Sequence, residues 1–363
     1  MGVRVGIDLT ACWRPRVGMV TLSLELSRAI LDQSQEGDAP TLFCSGERPA
    51  GMAGAAPAVL SPHHHELANK LLWLPAVECQ AGLDVMFYPY WPPSPRRRHG
   101  APPTVTYVHD VVFHSHPQEV PWQQRLYMGS LVPSSLRRSA AVLVPSEATR
   151  RDLLDCFPVP GLEERLHIVP QASFLAGVAP GPLPEGLRPG FILAVGTIDP
   201  RKNYPRLLAA HRLLRSRGEV PPLVVAGRPG WAYGTALDDL NQDPGVHVLG
   251  HVDDATLLAL YREAAVLAFP SLHEGFGLPL LEAMQEGLPA VISDVSSLPE
   301  LGGGAALEVD PLDVEAIAEG LGRVLGDAGL ARCLAARGRE RAGQFSWASS
   351  ASRTLEVLRA VVA

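Results

Sequence analysis

Short apolar runs alternate with amphipathic stretches along almost the whole chain, and this alternation predicts strand and helix units of a parallel α/β fold. In the first half the pattern predicts strands at 3–9, 41–44, 85–88, 105–109 and 141–145, with a helix over 20–32. Ser146 before Glu147 reads as the cap of a helix that continues through 150–154. Residues 173–190 are rich in Gly and Pro and poor in charge, the composition of an interdomain connection. After it the pattern restarts: a strand at 191–195, a helix over 204–215, strands at 223–226 and 246–249, a helix over 254–264 and a strand at 265–270. Strict alternation of this kind predicts a parallel sheet covered on both faces, with right-handed crossovers and ligands at the carboxyl ends of the strands. The last stretch, 346–363, carries Leu355, Leu358, Val361 and Val362 near helical spacing.

Length and composition agree with this organisation. The chain has 363 residues, too many for one ordinary doubly wound sheet, and 47% of them are hydrophobic, enough for two cores. The expected domains are 1–180 and 181–345. A net charge of -7 argues against nucleic acid as a partner. The one dense basic run, Arg96-Arg97-Arg98, reads as a solvated loop in preference to a lipid patch. Five scattered cysteines without a C-x-x-C pair point away from disulfides and zinc, and toward a reduced compartment. The chain opens on a strand, with no signal-peptide pattern and no apolar run long enough to span a bilayer. A cytoplasmic location is therefore expected, with peripheral contact at the inner face of a membrane left open. Residues 67–74, with Lys70 and Trp73, read as a core helix in preference to a lipid-facing one.

Chemistry concentrates in His273-Glu-Gly-Phe-Gly-Leu-Pro-Leu-Leu-Glu282, which follows the predicted strand at 265–270. Pro279 suits a first helical turn and Gly287 the left-handed residue that ends the helix. Gly275 and Gly277 let the backbone approach a ligand, and free amides at the helix start make an anion site, with phosphate the expected occupant. Glu274 is expected at its mouth and Glu282 in the first helical turn, there to accept hydrogen bonds from hydroxyls. Arg201 and Lys202, after the strand at 191–195, are cations at a helix start, where they oppose the dipole; pairing with a diphosphate explains them better than solvation does. His63-His64-His65 and His109, His114 and His116 have no carboxylate or cysteine at ligand spacing, so no metal site is expected.

Glu274 and Glu282 with Gly-Phe-Gly-Leu-Pro between them resemble the donor-site motif of retaining glycosyltransferases of the GT-B architecture, the large family 4 or group 1. Val195-Gly-Thr-Ile-Asp-Pro-Arg-Lys-Asn203 is similar to the family's basic phosphate loop. The stretches 226–231, 249–253 and 293–300 fit the same pattern in the same order, and the likeness runs from about residue 104 to the end.

The resemblance implies two Rossmann-like domains facing a central cleft, the first holding the acceptor and the second a nucleotide-sugar donor, with the C-terminal helix returning to the first. It places Gly196, Thr197, Arg201, Lys202, Arg228 and Val252 around the donor, together with Glu274, Gly275, Phe276, Gly277, Leu278 and Glu282. Gly18 is the matching close-approach glycine of the first domain, although relatives carry a richer glycine turn there. His109, Arg201, Lys202 and Glu274 are the implied catalytic residues, His109 as an active-site group without a general-base role. Many members have an arginine directly after the strand's glycine; here that position is Thr197, so the phosphate charge rests on Arg201 and Lys202. Glu282 is expected to hold the ribose.

The implied activity is metal-independent and retaining, with no cofactor beyond the donor. A hexose, mannose from GDP-mannose first, passes to a glycan or lipid-linked acceptor in bacterial polysaccharide or O-antigen assembly. UDP-glucose, UDP-N-acetylglucosamine and dTDP-rhamnose follow as donors. The alternatives are a non-catalytic nucleotide-sugar-binding protein or a nucleotide-sugar epimerase on the same scaffold.

Overall fold

The structure is a computed structural model that describes residues 2–363 except 13–17, 50, 53, 55, 66–67, 91, 94–97, 116–121 and 231–234. Arg14 to Val17, Leu67, Arg96, Arg97, His116 and Trp231 therefore lie outside the described residues. The chain divides into two compact units, one reaching Phe174 and resuming at Ser346–Ala363, the other spanning Leu175–Phe345.

In the first unit β1 (Val5–Leu9), β2 (Thr41–Ser45), β3 (Ala58–Ser61), β4 (Val85–Tyr88), β5 (Thr104–Tyr107), β6 (Ala141–Val144) and β7 (Leu166–Ile168) form one sheet. Its order is β3-β2-β1-β4-β5-β6-β7, and the pairs are parallel. The helices α1 (Gly18–Asp32), α2 (Trp122–Arg138) and α3 (Glu147–Cys156) connect these strands. Ser146 caps α3 by accepting from the Thr149 amide, as its position before Glu147 predicts. The strands β1, β4, β5 and β6 are buried throughout, the mark of a sheet covered on both faces. The edge strands β3 and β7 were not expected; each buries only one residue and so lacks the unbroken apolar run of a central strand. The strand expected over 105–109 ends at Tyr107, so His109 stands two residues beyond it.

The second unit contains β8 (Ile192–Val195), β9 (Leu223–Ala226), β10 (Val246–Gly250), β11 (Val266–Phe269), β12 (Ala290–Ser293) and β13 (Leu307–Val309). They pair in parallel in the order β10-β9-β8-β11-β12-β13. Its longer helices are α4 (Tyr204–Arg217), α5 (Asp254–Glu263), α6 (Leu278–Glu286), α7 (Val314–Gly326) and α8 (Ala328–Ala342). Strand order reverses between β8 and β11, and the crevice at such a reversal is where doubly wound sheets bind ligands. The Gly- and Pro-rich stretch after Phe174 covers this unit: Leu175 is buried, Val178, Leu183 and Leu187 pack on its core, and the Gly181 amide donates to Ala255 O.

The helix α9 (Trp347–Val362) belongs to the first unit. Ala351, Leu355 and Leu358 are buried in that core beside Leu24, Leu26 and Ile30 of α1. The Trp347 indole donates to Ser173 O at 3.0 Å, Gln33 donates to Ala348 O at 2.7 Å, and Arg359 pairs with Asp38 at 2.9 Å. Ser346 caps the helix by accepting from the Ser349 amide at 3.1 Å. Replacing Ser346 by alanine orphans that amide and is expected to destabilise the protein by about 1 kcal/mol, read as a lower urea midpoint at unchanged slope.

Residues 69–77 are not one regular amphipathic helix but a π-helical turn, Asn69–Trp73, running into the short helix Leu74–Val77. Asn69 and Lys70 are buried while Leu72 is 59% exposed. Asn69 Nδ2 donates to Ser45 Oγ at 2.7 Å, which ties the turn to the end of β2. No helix among the described residues is long and apolar enough to cross a membrane.

Candidate functional site

Four loops leave the carboxyl ends of β8, β9, β10 and β11, and their backbones hold one another. The Gly196 amide donates to Ala226 O at 3.0 Å, the Ile198 amide to Arg228 O at 2.9 Å and the Gly227 amide to Gly250 O at 2.8 Å. Gly227 is needed for this close approach, because a Cβ there would lie 1.8 Å from Gly196 O. Thr197 and Arg228 are exposed on this rim and Val252 is half-buried.

The segment after β8 folds into a single 3-10 turn, Pro200–Lys202, whose cap Asp199 accepts from the Lys202 amide. Arg201 and Lys202 thus sit in a turn of their own, not at the start of α4 as expected. Asn203 then takes a left-handed conformation, φ 60°, and donates to Pro270 O at 3.0 Å and Pro311 O at 2.7 Å. Leu272 N donates to Arg201 O at 2.8 Å. These bonds join the basic turn to the loop after β11 across the strand reversal.

The charged centre of the site follows from that junction. Lys202 Nζ lies 2.5 Å from Glu274 Oε1 and 4.7 Å from the centre of the Phe269 ring, and Arg201 approaches Glu274 Oε2 at 3.3 Å. Lys202 and Glu274 are only 9% and 6% exposed, so Glu274 is a buried anion between two cations and not a group at the mouth of a loop. Burial pushes its carboxyl up, but the charges of Lys202 and Arg201 outweigh this and leave it below the ordinary glutamate range. For Lys202, burial pulls the ammonium down while Glu274 opposes it. The close contact makes this an ion pair at neutral pH.

The loop itself is clamped through its backbone. The Glu274 amide donates to Ser296 Oγ at 3.0 Å, and Ser296 and Ser297 donate back to Glu274 O at 2.5 and 2.9 Å. Ser296 holds this position in a left-handed conformation, φ 61°. Gly277 caps α6 with φ 107°, where a Cβ would also meet Leu298 at 2.7 Å. Pro279 and Gly287 start and end the helix as expected, Gly287 being left-handed. The amides of Phe276, Gly277 and Leu278 have no partner among the described residues, so the start of α6 keeps free N–H groups, the arrangement that suits an anion. Gly275 is buried in the same loop.

Glu282 departs from expectation. Because α6 begins at Leu278, Glu282 lies in the second turn, beyond most of the dipole's reach, and it is 5% exposed. Burial pushes its carboxyl up to about 7, opposed by a 2.9 Å hydrogen bond from the Tyr261 hydroxyl and aided by Asp254. At neutral pH it is poised between acid and carboxylate. Its partner Tyr261, on α5, leaves no trace in the local sequence pattern; Phe269 falls in the strand expected at 265–270 and Ser296 and Ser297 in the stretch 293–300, though neither position reveals its role.

In the first unit His109 is half-buried, with Nε2 at 2.9 Å from Pro89 O and Nδ1 at 3.3 Å from the Gln171 amide nitrogen. A carbonyl acceptor requires the proton on Nε2, so Nδ1 accepts from Gln171 and the ring is neutral. Burial lowers its affinity for a second proton. The Tyr107 ring lies 4.7 Å away and Tyr107 OH donates to Val169 O. Gly18, with φ 21°, is exposed at the start of α1. Among the described residues no group of three or more His, Cys, Asp or Glu is placed to hold a metal ion.

Comparison with known proteins bears on this arrangement directly. The profile described as "Glycosyl transferases group 1" matches residues 181–341, and "Glycosyltransferase Family 4" matches 16–172. An O-antigen chain mannosyltransferase B from Escherichia coli is 32% identical over 76% of this chain and 75% of its own length. An MMP alpha-(1->4)-mannosyltransferase from Mycolicibacterium hassiacum is 35% identical over 62% of this chain and 56% of its own. The solved sucrose-phosphate synthase of Thermosynechococcus elongatus shares the fold, with a TM-score of 0.75 at 20% identity over 99% of this chain and 98% of that one. With two parallel Rossmann-like sheets, and sequence likeness that spans both units, the chain belongs to the group 1, family 4 glycosyltransferases of GT-B type.

Proposed function

We propose that this glycosyltransferase is a retaining, metal-independent mannosyltransferase that uses GDP-mannose and serves a glycan or lipid-linked acceptor in bacterial polysaccharide or O-antigen assembly. The observation that carries the donor half is the Lys202, Arg201 and Glu274 cluster beside the unpartnered amides of the α6 start. Mannose is favoured by the mannosyltransferases among its relatives, one of them 32% identical.

In this reading the diphosphate lies on the Phe276, Gly277 and Leu278 amides, and Arg201 and Lys202 take up the charge that develops on it as the glycosidic bond breaks. Those two cations replace a divalent ion. Glu274 orients them and contacts the sugar, while Glu282 holds the ribose. The bond from C1 to the phosphate oxygen breaks and the acceptor oxygen bonds to C1 on the same face. The acceptor's proton passes to the leaving phosphate oxygen, so no protein base is required. Arg228, Thr197 and Val252 fit the rim near the base, with Gly196 and Gly275 admitting the backbone close to the phosphates. His109 enters as a neutral hydrogen-bonding group and not as a base, since its basic nitrogen Nδ1 already accepts from the Gln171 amide. No cofactor is assigned.

A survey of GDP-, UDP- and dTDP-sugars for donor hydrolysis, run in excess chelator, tests this reading. GDP-mannose is expected to turn over fastest, unaffected by chelation, and to give the α-anomer as first product by NMR. Loss of turnover in chelator removes metal independence, a β-anomer removes retention, and failure of every sugar nucleotide to bind overturns the donor site.

A further inference from the structure

We propose that Tyr261 is a positioning residue of the donor site: it fixes one oxygen of Glu282 so that the other meets a vicinal diol, and nucleotide binding is thereby linked to the proton on Glu282. This rests on the reading of Glu282 as the ribose-holding group and adds to it a partner and a pH dependence.

The geometry begins with unfilled acceptor capacity. A carboxylate offers about four acceptor sites. Tyr261 OH fills one, at 2.9 Å from Oε2, and Oε1 has no hydrogen-bond partner among the described residues. Tyr261 is itself 1% exposed and held in the apolar core of the second unit, so its hydroxyl has little freedom to move. Burial keeps the phenol protonated, which makes it a donor only toward Glu282. A pair of adjacent hydroxyls, as on a ribose, supplies two donors to the remaining sites, whereas a phosphate supplies none.

The groups that bear on Glu282 are few. Tyr261 and Asp254 come from α5, and β11 and β12 carry no titratable side chain. Arg339 of α8 binds Glu286 O at the far end of α6, and Glu300, on the short helix Leu298–Gly302, is exposed. Nothing cationic therefore offsets the burial of this carboxyl, which is half-ionised near pH 7. A diol hydrogen-bonds best to the ionised form, so donor binding below about pH 7 must expel a proton. Affinity then falls as the pH is lowered, while above pH 8 it is level.

The experiment measures donor KM and kcat against pH for the wild type, Tyr261→Phe and Glu282→Gln, with folding of each followed by thermal denaturation. For Tyr261→Phe the acid limb of the KM profile is expected to move up by about one pH unit, because the hydrogen bond that favours the anion is lost. KM at pH 7 rises severalfold to tenfold, with kcat changed far less. Glu282→Gln raises KM at every pH above 7 and abolishes the acid limb. An unmoved profile in Tyr261→Phe, while Glu282→Gln raises KM, assigns Tyr261 to packing alone and overturns the inference. An unchanged KM in Glu282→Gln instead overturns the ribose reading beneath it. Should Tyr261→Phe fail to fold, calorimetry on the wild type decides the proton linkage, using the tighter binder of GDP and UDP, both of which carry the vicinal diol, in buffers of different ionisation enthalpy. Proton release at pH 6.5 and none at pH 8.5 supports it, and equal heats in all buffers at pH 6.5 overturn it.

Discussion

Lys202→Met is expected to lower kcat/KM for the donor by about 10²–10³-fold, the scale on which a preorganised charge aimed at a leaving group acts. Methionine keeps the stem that packs over Phe269 and removes only the ammonium. The same change strands Glu274, 6% exposed, with Arg201 at 3.3 Å as its remaining cation. Breaking a buried pair from one side costs about 3–5 kcal/mol, reduced here because Arg201 is still present. The two effects separate in a double variant. Lys202→Met with Glu274→Gln removes both charges and is expected to recover most of the lost stability in urea unfolding, yet none of the lost turnover. A single variant with undiminished kcat/KM would show that Lys202 is a structural cation, and the proposed diphosphate site would lose its main charge.

Glu282→Gln is expected to stabilise the protein at alkaline pH while weakening donor binding. The folded carboxyl titrates at about 7 against an ordinary value of 4.5, so the folded state holds this proton more tightly than the unfolded one. The stability linked to it is full below pH 4.5 and is lost as the pH rises through about 7. At pH 8 the buried anion costs about 3 kcal/mol, and a neutral amide avoids that cost. Unfolding curves of the two proteins should nearly coincide at pH 5 and diverge by about 2–3 kcal/mol at pH 8, the variant being the more stable. Parallel pH dependence from 5 to 8 would place Glu282 in a better solvated setting than its 5% exposure implies. A residue that destabilises the fold where the enzyme works is understandable if its ionised form is needed by a ligand.

Local sequence carried a large part of this description. The apolar runs located nine of the thirteen strands among the described residues, because a strand buried on both faces reads as an unbroken hydrophobic segment whatever its neighbours are. The pattern missed β3, β7 and β13, edge strands that each bury only one residue, and it also missed the fully buried β12. Pro279 and Gly287 marked α6 because proline and a left-handed glycine are requirements of the backbone itself. The glycine loops could be read for the same reason.

What tertiary structure alone decided is the state of each functional side chain. Lys202 and Glu274 are 72 residues apart in sequence, and only the β8 to β11 crossover, with Asn203 tied to Pro270 O and Pro311 O, brings them within 2.5 Å. Glu274 was legible as an acid in a loop, but not as a buried anion shared by two cations. Tyr261 meets Glu282 through the packing of α5 on α6, which no periodicity within either helix encodes. His109 was placed at a strand end by pattern, while the engagement of both ring nitrogens depends on Pro89 and on Gln171, 62 residues away. Hydrophobic periodicity and turn chemistry are properties of neighbours in sequence, so the chain could declare its strands, its helix ends and its glycine loops. Burial, partner and protonation are properties of neighbours in space, and they were fixed only when the two sheets had formed.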